Sequence, residues 1–270
     1  MARRELTQRE LRDVQLTELE LLKEVDRICK KCGIAYHIIA GTLLGAVRHG
    51  GFIPWDDDAD VAMLRTEYER FAEACRTELD KTRYYFQDMD VQPGYRWGYG
   101  KLRKKETLFL RENQEHMPYE QGIFIDVFPL DGVPDLYPAR SLKNLECFFV
   151  RKILWSEVGK IADKSGVMRA VYRILSKIPE KSVKCYLRGM IRRANKKETE
   201  YVRILMFPTP NRTYGYRREW YLKSRDFLFE GQAFPGIFDY DAYLSFKFGE
   251  YMKLPPEEQR YTHEFKAFRI

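Results

Sequence analysis

The stretch Gly41-Thr-Leu-Leu-Gly-Ala-Val-Arg-His-Gly-Gly-Phe-Ile-Pro-Trp-Asp-Asp-Asp-Ala-Asp60-Val61 is the most informative part of this chain. Four aspartates, at positions 56, 57, 58 and 60, lie between the apolar runs 53–55 and 61–64. Two carboxylates about 4 Å apart repel by roughly 4 kcal/mol at an effective dielectric near 20. A folded protein sustains such repulsion when a cation lies between the charges or a carboxylate is protonated. Because all the donors are hard oxygens, the run predicts a Mg²⁺ or Mn²⁺ site rather than a zinc site.

The spacing of the aspartates indicates which of them act together. In an extended segment, alternate side chains point to the same side. Asp58 and Asp60 therefore present two carboxylates to one point, and we expect them to bind metal. We expect the neighbouring Asp56 and Asp57 to orient the loop.

The elements around this stretch alternate between helix and strand. Apolar residues recur at the helical period over 10–32, and Gly33 is a natural helix end. Strands are predicted at 34–40, 57–63 and 122–128, and helices at 43–48 and 66–79. This order predicts an α/β (α+β) fold with a mixed β-sheet core flanked by helices.

The strand Gly-Ile-Phe-Ile-Asp-Val-Phe, residues 122–128, carries a single charge at Asp126. One interpretation is a core acid held in a salt bridge. The other is a third metal ligand supplied by a strand next to Asp58 and Asp60. Two metals about 3.5–4 Å apart clamp the attacking and leaving oxygens in a displacement at phosphorus. On that interpretation the three aspartates are also catalytic residues.

Candidate phosphate ligands lie at the start of the quoted stretch. Gly41 and Thr42 occur where a predicted strand turns into a helix, and backbone N–H groups at a helix start bind phosphate. Arg48, one helix later, is a candidate for neutralising a phosphoryl group. His49 would either donate to a phosphate oxygen or cap the turn.

An aromatic stripe occupies residues 94–103. Alternation predicts that Tyr95, Trp97, Tyr99 and Lys101 share one face of an extended segment. With Trp55, these aromatic rings are candidates for a cage around a quaternary ammonium, and ordinary sheet packing is the alternative. Lys101, like Arg48, would offset charge on a leaving group.

Composition bounds the class of protein. The chain has 270 residues, of which 44% are hydrophobic, and a net charge of +7. Its five cysteines are scattered, which argues against a disulfide framework. No apolar run approaches the ~18–20 residues of a membrane span, and the N-terminal residues lack the apolar core of a signal peptide, so we expect a cytoplasmic protein.

Residues 138–203 differ from the rest of the chain. Two amphipathic helices are predicted, one around 142–155 and one around 167–178, and residues 181–203 are strongly basic. This predicts a basic helical insert of about 138–203 in one domain spanning 1–270, with its core at about 20–135 and 205–265. The insert would either lie against the anionic inner leaflet of the plasma membrane or present a solvated basic face.

Several motifs together resemble one family. The string from Gly41 to Asp60 is similar to the LicD family of the nucleotidyltransferase superfamily, to which the eukaryotic fukutin-related proteins are also similar. So are the segments Ile125-Asp-Val-Phe-Pro-Leu-Asp-Gly132, Phe229-Glu-Gly231, and Tyr243-Leu with Phe248-Gly-Glu-Tyr-Met-Lys-Leu-Pro-Pro256. The resemblance covers about residues 20–265, and no family motif matches the insert.

The resemblance implies a function. It implies a phosphotransferase that moves phosphorylcholine from CDP-choline to a sugar hydroxyl of a bacterial surface glycan, such as a teichoic acid or lipopolysaccharide precursor. Ribitol or glycerol phosphate from its own CDP donor is the alternative. The resemblance also implies Mg²⁺, with Asp58, Asp60 and Asp126 as its ligands and Gly41-Thr42 at the phosphates.

Two other classes of protein remain as alternatives. An RNA nucleotidyltransferase would fit the basic charge and would bind RNA with a steep salt dependence. However, no separate RNA-binding module is evident, so we expect no nucleic-acid partner. A non-catalytic metal-binding scaffold lacks the Asp-x-Asp-x-Asp-Gly pattern of calcium loops and leaves Gly41-Thr42 and Asp126 unexplained.

Overall fold

The computed structural model describes residues 6–209, 212–260, 262 and 265–270. The helices in these ranges are α1 Gln8–Cys32, α2 Ala40–His49, α3 Arg65–Glu78, α4 Tyr137–Ala162, α5 Gly166–Leu175, α6 Glu180–Ala194 and α7 Tyr240–Phe248. The strands are β1 His37–Ile38, β2 Asp60–Leu64, β3 Tyr84–Gln87, β4 Gly100–Lys104, β5 Leu108–Arg111, β6 Phe124–Val133, β7 Tyr201–Arg203, β8 Tyr216–Arg217, β9 Ser224–Phe229, β10 Gln232–Ile237 and β11 Phe265–Arg269. Residues 1–5, which belong to the N-terminal stretch used in predicting a cytoplasmic protein, lie outside the described ranges.

The main sheet contains both parallel and antiparallel pairs. Its strand order in the described chain is β3-β4-β6-β2-β1-β10-β9, and β7 and β8 extend it beside the end of β6. The β2–β6 and β1–β10 pairs are parallel, and the other pairs are antiparallel. The α1 and α3 helices pack on this sheet. The predicted α/β class, with a mixed sheet flanked by helices, is confirmed.

The local sequence explains the ends of the first helix. Thr7 and Glu10 form a reciprocal capping box at the start of α1, and Gly33 closes it in the left-handed region at φ 60°. The apolar face of α1 is buried, with Leu21, Leu22 and Val25 fully excluded from solvent. The helix is therefore fixed against the strands that carry the acidic residues.

Three predicted elements differ from the observed ones. The predicted strand 34–40 is only His37–Ile38, because Ala40 already begins α2 with a φ of 50°. The predicted strand 57–63 begins at Asp60, so the preceding aspartates lie in a loop. The predicted extended segment 94–103 is strand only from Gly100, and the residues before it form turns.

The strand that carries Asp126 is longer than predicted. The predicted strand ends at residue 128, but β6 continues to Val133. Its antiparallel partner changes along its length, since β4 pairs with it up to Val127 and β7 pairs with it from Asp131 onward. Pro129 falls between these two partners, where the sheet needs no N–H donor on that side.

The insert contains three helices rather than the two predicted. The predicted helix around 167–178 ends at Leu175, and after Pro179 a further helix, α6, runs from Glu180 to Ala194 through the basic stretch. The helices enclose their own apolar cluster, formed by Val133, Cys147, Val150, Leu154, Val183, Leu187, Met190, Ile191, Leu205 and Met206. The predicted division of the chain into core and insert stays a prediction.

A buried ion pair fixes the insert against the core. The guanidinium of Arg65, at the start of α3, donates to both oxygens of Asp131 at 2.7 Å. Asn195, which follows α6, donates to the same carboxylate at 2.6 Å. In the described part of the chain, no helix is both long enough and apolar enough to cross a membrane.

Candidate active site

The strand register brings three charged side chains into a row across the sheet. Asp60 on β2 is directly opposite Asp126 on the parallel strand β6. Lys101 on β4 is directly opposite Asp126 from the other side. Directly opposed residues project from the same face of a sheet. The Nζ of Lys101 donates to Oδ1 of Asp126 at 2.5 Å, and both side chains are largely buried.

These residues line a cavity of about 270 Å³. Asp58, from the loop before β2, lies in the same wall, so the three predicted metal ligands and Lys101 share one cavity. Its other lining residues are aromatic, basic and amide side chains: Trp97, Tyr99, Arg103, Phe109, Arg111, Gln114, Gln121, Phe124, Phe128, Trp155 and Phe207. The predicted convergence of two strands on one acidic cavity is therefore observed.

The carboxylates repel one another within this cavity. Burial raises the pKa of Asp60 well above its ordinary value, and the negative charges of Asp58 and Asp126 raise it further. Burial also raises the pKa of Asp56, with added contributions from Asp58 and Asp57. These raised pKa values mean that ionisation of Asp56 and Asp60 is unfavourable in the protein alone, and a bound cation would favour the ionised forms.

The donor set suits Mg²⁺ or Mn²⁺, because carboxylate oxygens are the ligands that these ions prefer. In the described ranges, no three His, Cys, Asp or Glu side chains lie close enough together to hold a metal ion by themselves. A Mg²⁺ ion here would need ligands from the substrate, as is usual for Mg²⁺ beside phosphates. One or two carboxylates hold the ion, and substrate phosphates and waters complete its coordination.

Gly41 and Thr42 lie beside the acidic loop, at the start of α2. A Cβ at Gly41 would approach Oδ2 of Asp56 to 2.6 Å, so the glycine leaves room for that carboxylate. The hydroxyl oxygen of Thr42 accepts from the N–H of Asp60 at 2.8 Å and thereby fixes the start of β2. These contacts position the acidic loop, and the predicted role of both residues at a phosphate stays a prediction.

Arg48, His49 and Trp55 do not reach the cavity that holds Asp58 and Asp60. Arg48 donates to the carbonyl of Tyr251 at 2.7 Å and to His49, at the other end of α2. The rings of His49 and Trp55 contact each other edge to face at 6.3 Å. In the structure these residues contact one another and the C-terminal segment, and their predicted roles at the donor stay predictions.

The aromatic stripe is divided rather than continuous. Trp97 and Tyr99 line the cavity with Lys101, as expected. Tyr95 is fully buried and packs edge to face on Tyr119 instead, because residues 94–99 form turns and do not alternate like a strand. Tyr95 and Trp55 therefore do not belong to a common cage with Tyr99.

Two further aromatic residues complete the cavity wall beside Tyr99. The ring centroids of Tyr99 and Phe128 are 4.8 Å apart, and those of Phe128 and Phe207 are 5.1 Å apart. Phe128 follows Asp126 by two positions on one strand, so period-two alternation was a signal for it. Phe207 lies far away in sequence, and no local signal identified it.

Sequence reasoning also missed an acidic residue of the first helix. Glu18 is 2% exposed on the buried face of α1, and burial raises its pKa well above the ordinary value, as do the charges of Asp58, Asp57 and Asp56. A signal was present, because Glu18 is four residues from both Val14 and Leu22 on an apolar helix face. The acidic loop therefore faces a fifth carboxyl group.

The C-terminal motifs hold this loop in place. Glu230, of Phe229-Glu-Gly231, accepts from the N–H of Phe52 at 3.1 Å and from Arg12 at 2.6 Å. The hydroxyl of Tyr243 accepts from the N–H of Ala40 at 3.3 Å, where α2 begins. Segments far apart in sequence thus fix both ends of the stretch that carries the aspartates.

Comparison with known proteins agrees with this arrangement. A family model described as "LicD/FKTN/FKRP, nucleotidyltransferase domain" matches residues 33–140, which include Asp58, Asp60, Lys101 and Asp126. Residues 33–140 of this chain are therefore similar to the LicD family. The region outside the match contains the insert and the C-terminal segments that line the cavity from the other side.

Two relatives extend the likeness. The chain is 29% identical over 273 residues to the lipopolysaccharide cholinephosphotransferase LicD of Haemophilus influenzae, covering 96% of this chain and 98% of that protein. It is 27% identical over 132 residues to an uncharacterized protein of Rickettsia prowazekii, covering 47% of each. The first likeness spans the insert as well as the residues that match the family model.

Proposed function

We propose that this protein is a metal-dependent phosphotransferase that moves phosphorylcholine from CDP-choline to a sugar hydroxyl of a bacterial surface glycan, with lipopolysaccharide as the acceptor. The observation that supports it best is the row of Asp60, Asp126 and Lys101 in one cavity with Asp58. The likeness to a lipopolysaccharide cholinephosphotransferase over nearly the whole chain supports the choice of group and acceptor. Teichoic acid is the alternative acceptor.

The chemistry is an in-line displacement at phosphorus. The hydroxyl oxygen of the sugar attacks the β-phosphorus of CDP-choline, and the bond from that phosphorus to the bridging oxygen breaks, so CMP leaves. Asp58, Asp60 and Asp126 are the carboxylates that would hold a divalent cation together with the donor phosphates, and the cation would stabilise the negative charge that develops on the phosphoryl oxygens. The carboxylates hold that position because the strand register and the Thr42 contact fix them before substrate arrives.

Lys101 and Asp126 have separate roles in the proposed reaction. The Lys101 ammonium lies against Asp126 and 3.4 Å from the centroid of the Phe124 ring. We assign Lys101 the role of offsetting charge on the leaving CMP. The second oxygen of Asp126 would accept the proton of the attacking hydroxyl. Gly41 and Thr42 are assigned to the phosphates through the N–H groups at the start of α2.

The aromatic wall supports choline as the transferred alcohol. Tyr99, Phe128 and Phe207 lie in contact with one another beside the carboxylates, and aromatic faces attract a quaternary ammonium. Ribitol and glycerol carry no cation, so these rings would offer them no cation–π attraction. These three residues replace the cage predicted from Tyr95, Trp97, Tyr99 and Trp55.

The surface of the insert supports contact with an anionic membrane, where a lipid-linked acceptor would be found. Val167, Val171 and Ile174 project from one face of α5 and are 75%, 39% and 68% exposed. Basic side chains surround this face. We therefore place the enzyme at the cytoplasmic face of the membrane, and cosedimentation that rises with the anionic lipid content of vesicles is the expected result.

A donor panel tests the proposed function. The purified protein with Mg²⁺ should release CMP from CDP-choline in the presence of acceptor, faster than from CDP-ribitol or CDP-glycerol, and EDTA should stop the release. D58N and D60N should lower the rate at least about a hundredfold, because they remove ligands for the charge of the transition state. D226N, on the exposed edge strand β9, is the matched control. A folded protein that releases CMP from no donor would refute the proposal.

A further inference from the structure

A second cavity, of about 400 Å³, adjoins the carboxylate cavity and opens toward the insert. It shares four lining residues with the first cavity: Trp97, Tyr99, Trp155 and Phe207. The residues that belong to it alone are Phe148, Arg151 and Lys152 of α4, and Met206 and Pro208 after β7. The proposed function assigns it no ligand.

The basic residues of this cavity come from one face of α4. Phe148, Arg151 and Trp155 are three and four residues apart, which places them one above another on a helix. The guanidinium carbon of Arg151 is 5.8 Å from the centroid of the Phe148 ring. The helix therefore presents a cation between two aromatic side chains to the cavity.

Arg151 is half-buried, and its Nη1 is fully buried. That nitrogen donates no hydrogen bond to any atom of the described part of the chain. Burial lowers the pKa of Arg151, against a smaller opposite effect of the Cys147 thiol. By contrast, the neighbouring Lys152 donates to the hydroxyl of Tyr172 at 2.9 Å and helps to join α4 to α5. A buried N–H without an acceptor destabilises the protein, and an anionic ligand would supply the acceptor.

The aromatic side chains that line the cavity indicate which class of ligand fits it. The rings of Trp97 and Trp155 lie 5.4 Å apart with planes inclined at 44°, and the indole of Trp155 is 36% exposed. Flat aromatic surfaces stack on sugar rings and on nucleobases. A guanidinium fork matches the oxygens of a phosphate group.

We propose that this second cavity binds a phosphorylated sugar, with its ring against Trp97 and Trp155 and its phosphate on Arg151. The inference rests on the proposed function, which supplies two sources of this chemistry. One is the CMP half of the donor, reached across the shared wall from the carboxylates. The other is a phosphate-bearing sugar of the acceptor glycan, which would enter from the side of the insert.

Direct binding to the full-length protein tests the proposal. CMP, cytidine and glucosamine 6-phosphate are titrated separately, and tryptophan fluorescence is read, because two of the four tryptophans line the cavity. R151Q should weaken binding of the phosphorylated probe about ten- to a hundredfold, the usual effect of losing a charge-assisted hydrogen bond. W155L should weaken binding of the same probe, because it removes the ring surface that lies beside Arg151 on α4. Unchanged thermal unfolding shows that each variant folds.

The matched control is R173Q, which removes the same charge from an exposed position of the insert. It should leave binding unchanged. If R151Q weakens binding of CMP but not of cytidine, the cavity binds the CMP half of the donor. If R151Q weakens binding of glucosamine 6-phosphate only, the cavity binds a phosphorylated sugar of the acceptor. If neither probe depends on Arg151, the proposal is wrong.

The outcome is independent of the test of function. CMP release from CDP-choline with no dependence of either probe on Arg151 would leave the proposed function standing and remove the second cavity. If binding of a probe depends on Arg151 but the protein turns over no CDP donor, the proposed ligand of the second cavity stands and the proposed function is wrong.

Discussion

Asp60 and Asp126 are directly opposite each other on two neighbouring parallel strands, β2 and β6. Their positions along the sheet are fixed by backbone pairing, so neither carboxylate can retreat from the other without breaking the strand register. The raised pKa of Asp60 is the cost of that arrangement, and it arises from burial and from the charges of Asp58 and Asp126. The strand pairing thus keeps mutually repelling carboxylates together at the proposed catalytic site, which destabilises the folded protein.

Removing one of these charges should therefore stabilise the protein while it abolishes activity. Without divalent ions at pH 7, we expect D60N to raise the free energy of unfolding by about 0.5–2 kcal/mol, the usual size of one stabilising substitution. The sign follows because a raised carboxyl pKa means that ionisation opposes folding. Urea unfolding measures the effect, and D226N should leave it unchanged. A D60N protein that is less stable than the wild type would contradict our description of the cavity.

The ion pair between Lys101 and Asp126 gives a second prediction. Both residues are more than nine-tenths buried, so K101M would leave the Asp126 charge without its partner. We expect a loss of about 3–5 kcal/mol in the free energy of unfolding, the usual cost of breaking a buried pair from one side. The double variant K101M/D126N should regain most of that loss. Equal destabilisation of the single and double variants would show that the pair does not stabilise the fold.

Much of this arrangement was predictable from the sequence. The apolar segments that carry Asp60 and Asp126 are short and bounded by clear turns, and a strand fixes where alternate side chains point. Asp58, Asp60, Lys101 and Asp126 accordingly lie in one cavity. The fold class followed from the same alternation of helices and strands.

Local sequence patterns do not locate four other residues, for three different physical reasons. Arg48 is close to Gly41 in sequence, but seven residues of helix span about 10 Å, so it lies at the opposite end of α2. Tyr95 was placed by an alternation that holds only within a strand, and its segment forms turns. Phe207 and Arg151 reach the cavities through tertiary packing of the insert, for which no local pattern exists.

Close packing between α2 and the glycine turn gives a third prediction. A Cβ at Gly45 would lie 2.4 Å from the carbonyl oxygen of Gly51 and 3.3 Å from the N–H nitrogen of Ile53. Backbone atoms cannot move aside as a side-chain end can, so G45A should lower the free energy of unfolding by about 1–3 kcal/mol, as overpacking does.

The matched control for G45A is G166A. Gly166 is also helical, and the nearest atom to its added Cβ is the end of Arg169, at 3.8 Å. Thermal unfolding of both variants makes the comparison. Because Gly51 leads into the acidic loop, G45A should also slow CMP release, whereas G166A should not. Equal stability of the two variants would mean that the turn is not packed as described.

The pH dependence of stability gives the last prediction, through a histidine of the central sheet. His37 on β1 is 4% exposed, and its Nε2 lies 3.3 Å from the carbonyl oxygen of Lys223. Burial lowers the pKa of His37 to about 4, from about 6.5 in an unfolded chain. Between these values the unfolded state binds the additional proton, so the free energy of unfolding falls as the pH is lowered from about 6.5 to about 4.

The full loss should approach about 3 kcal/mol below pH 4, at about 1.4 kcal/mol for each pKa unit. Carboxyl groups titrate over the same range, so the measurement is the difference between the wild type and H37Q in urea unfolding from pH 7 to pH 4. H37Q keeps an N–H donor for Lys223 and should lack this part of the pH dependence. H116Q, at an exposed histidine, should retain it. If wild type and H37Q lose stability in parallel over this range, His37 is not the neutral buried group that the sheet requires.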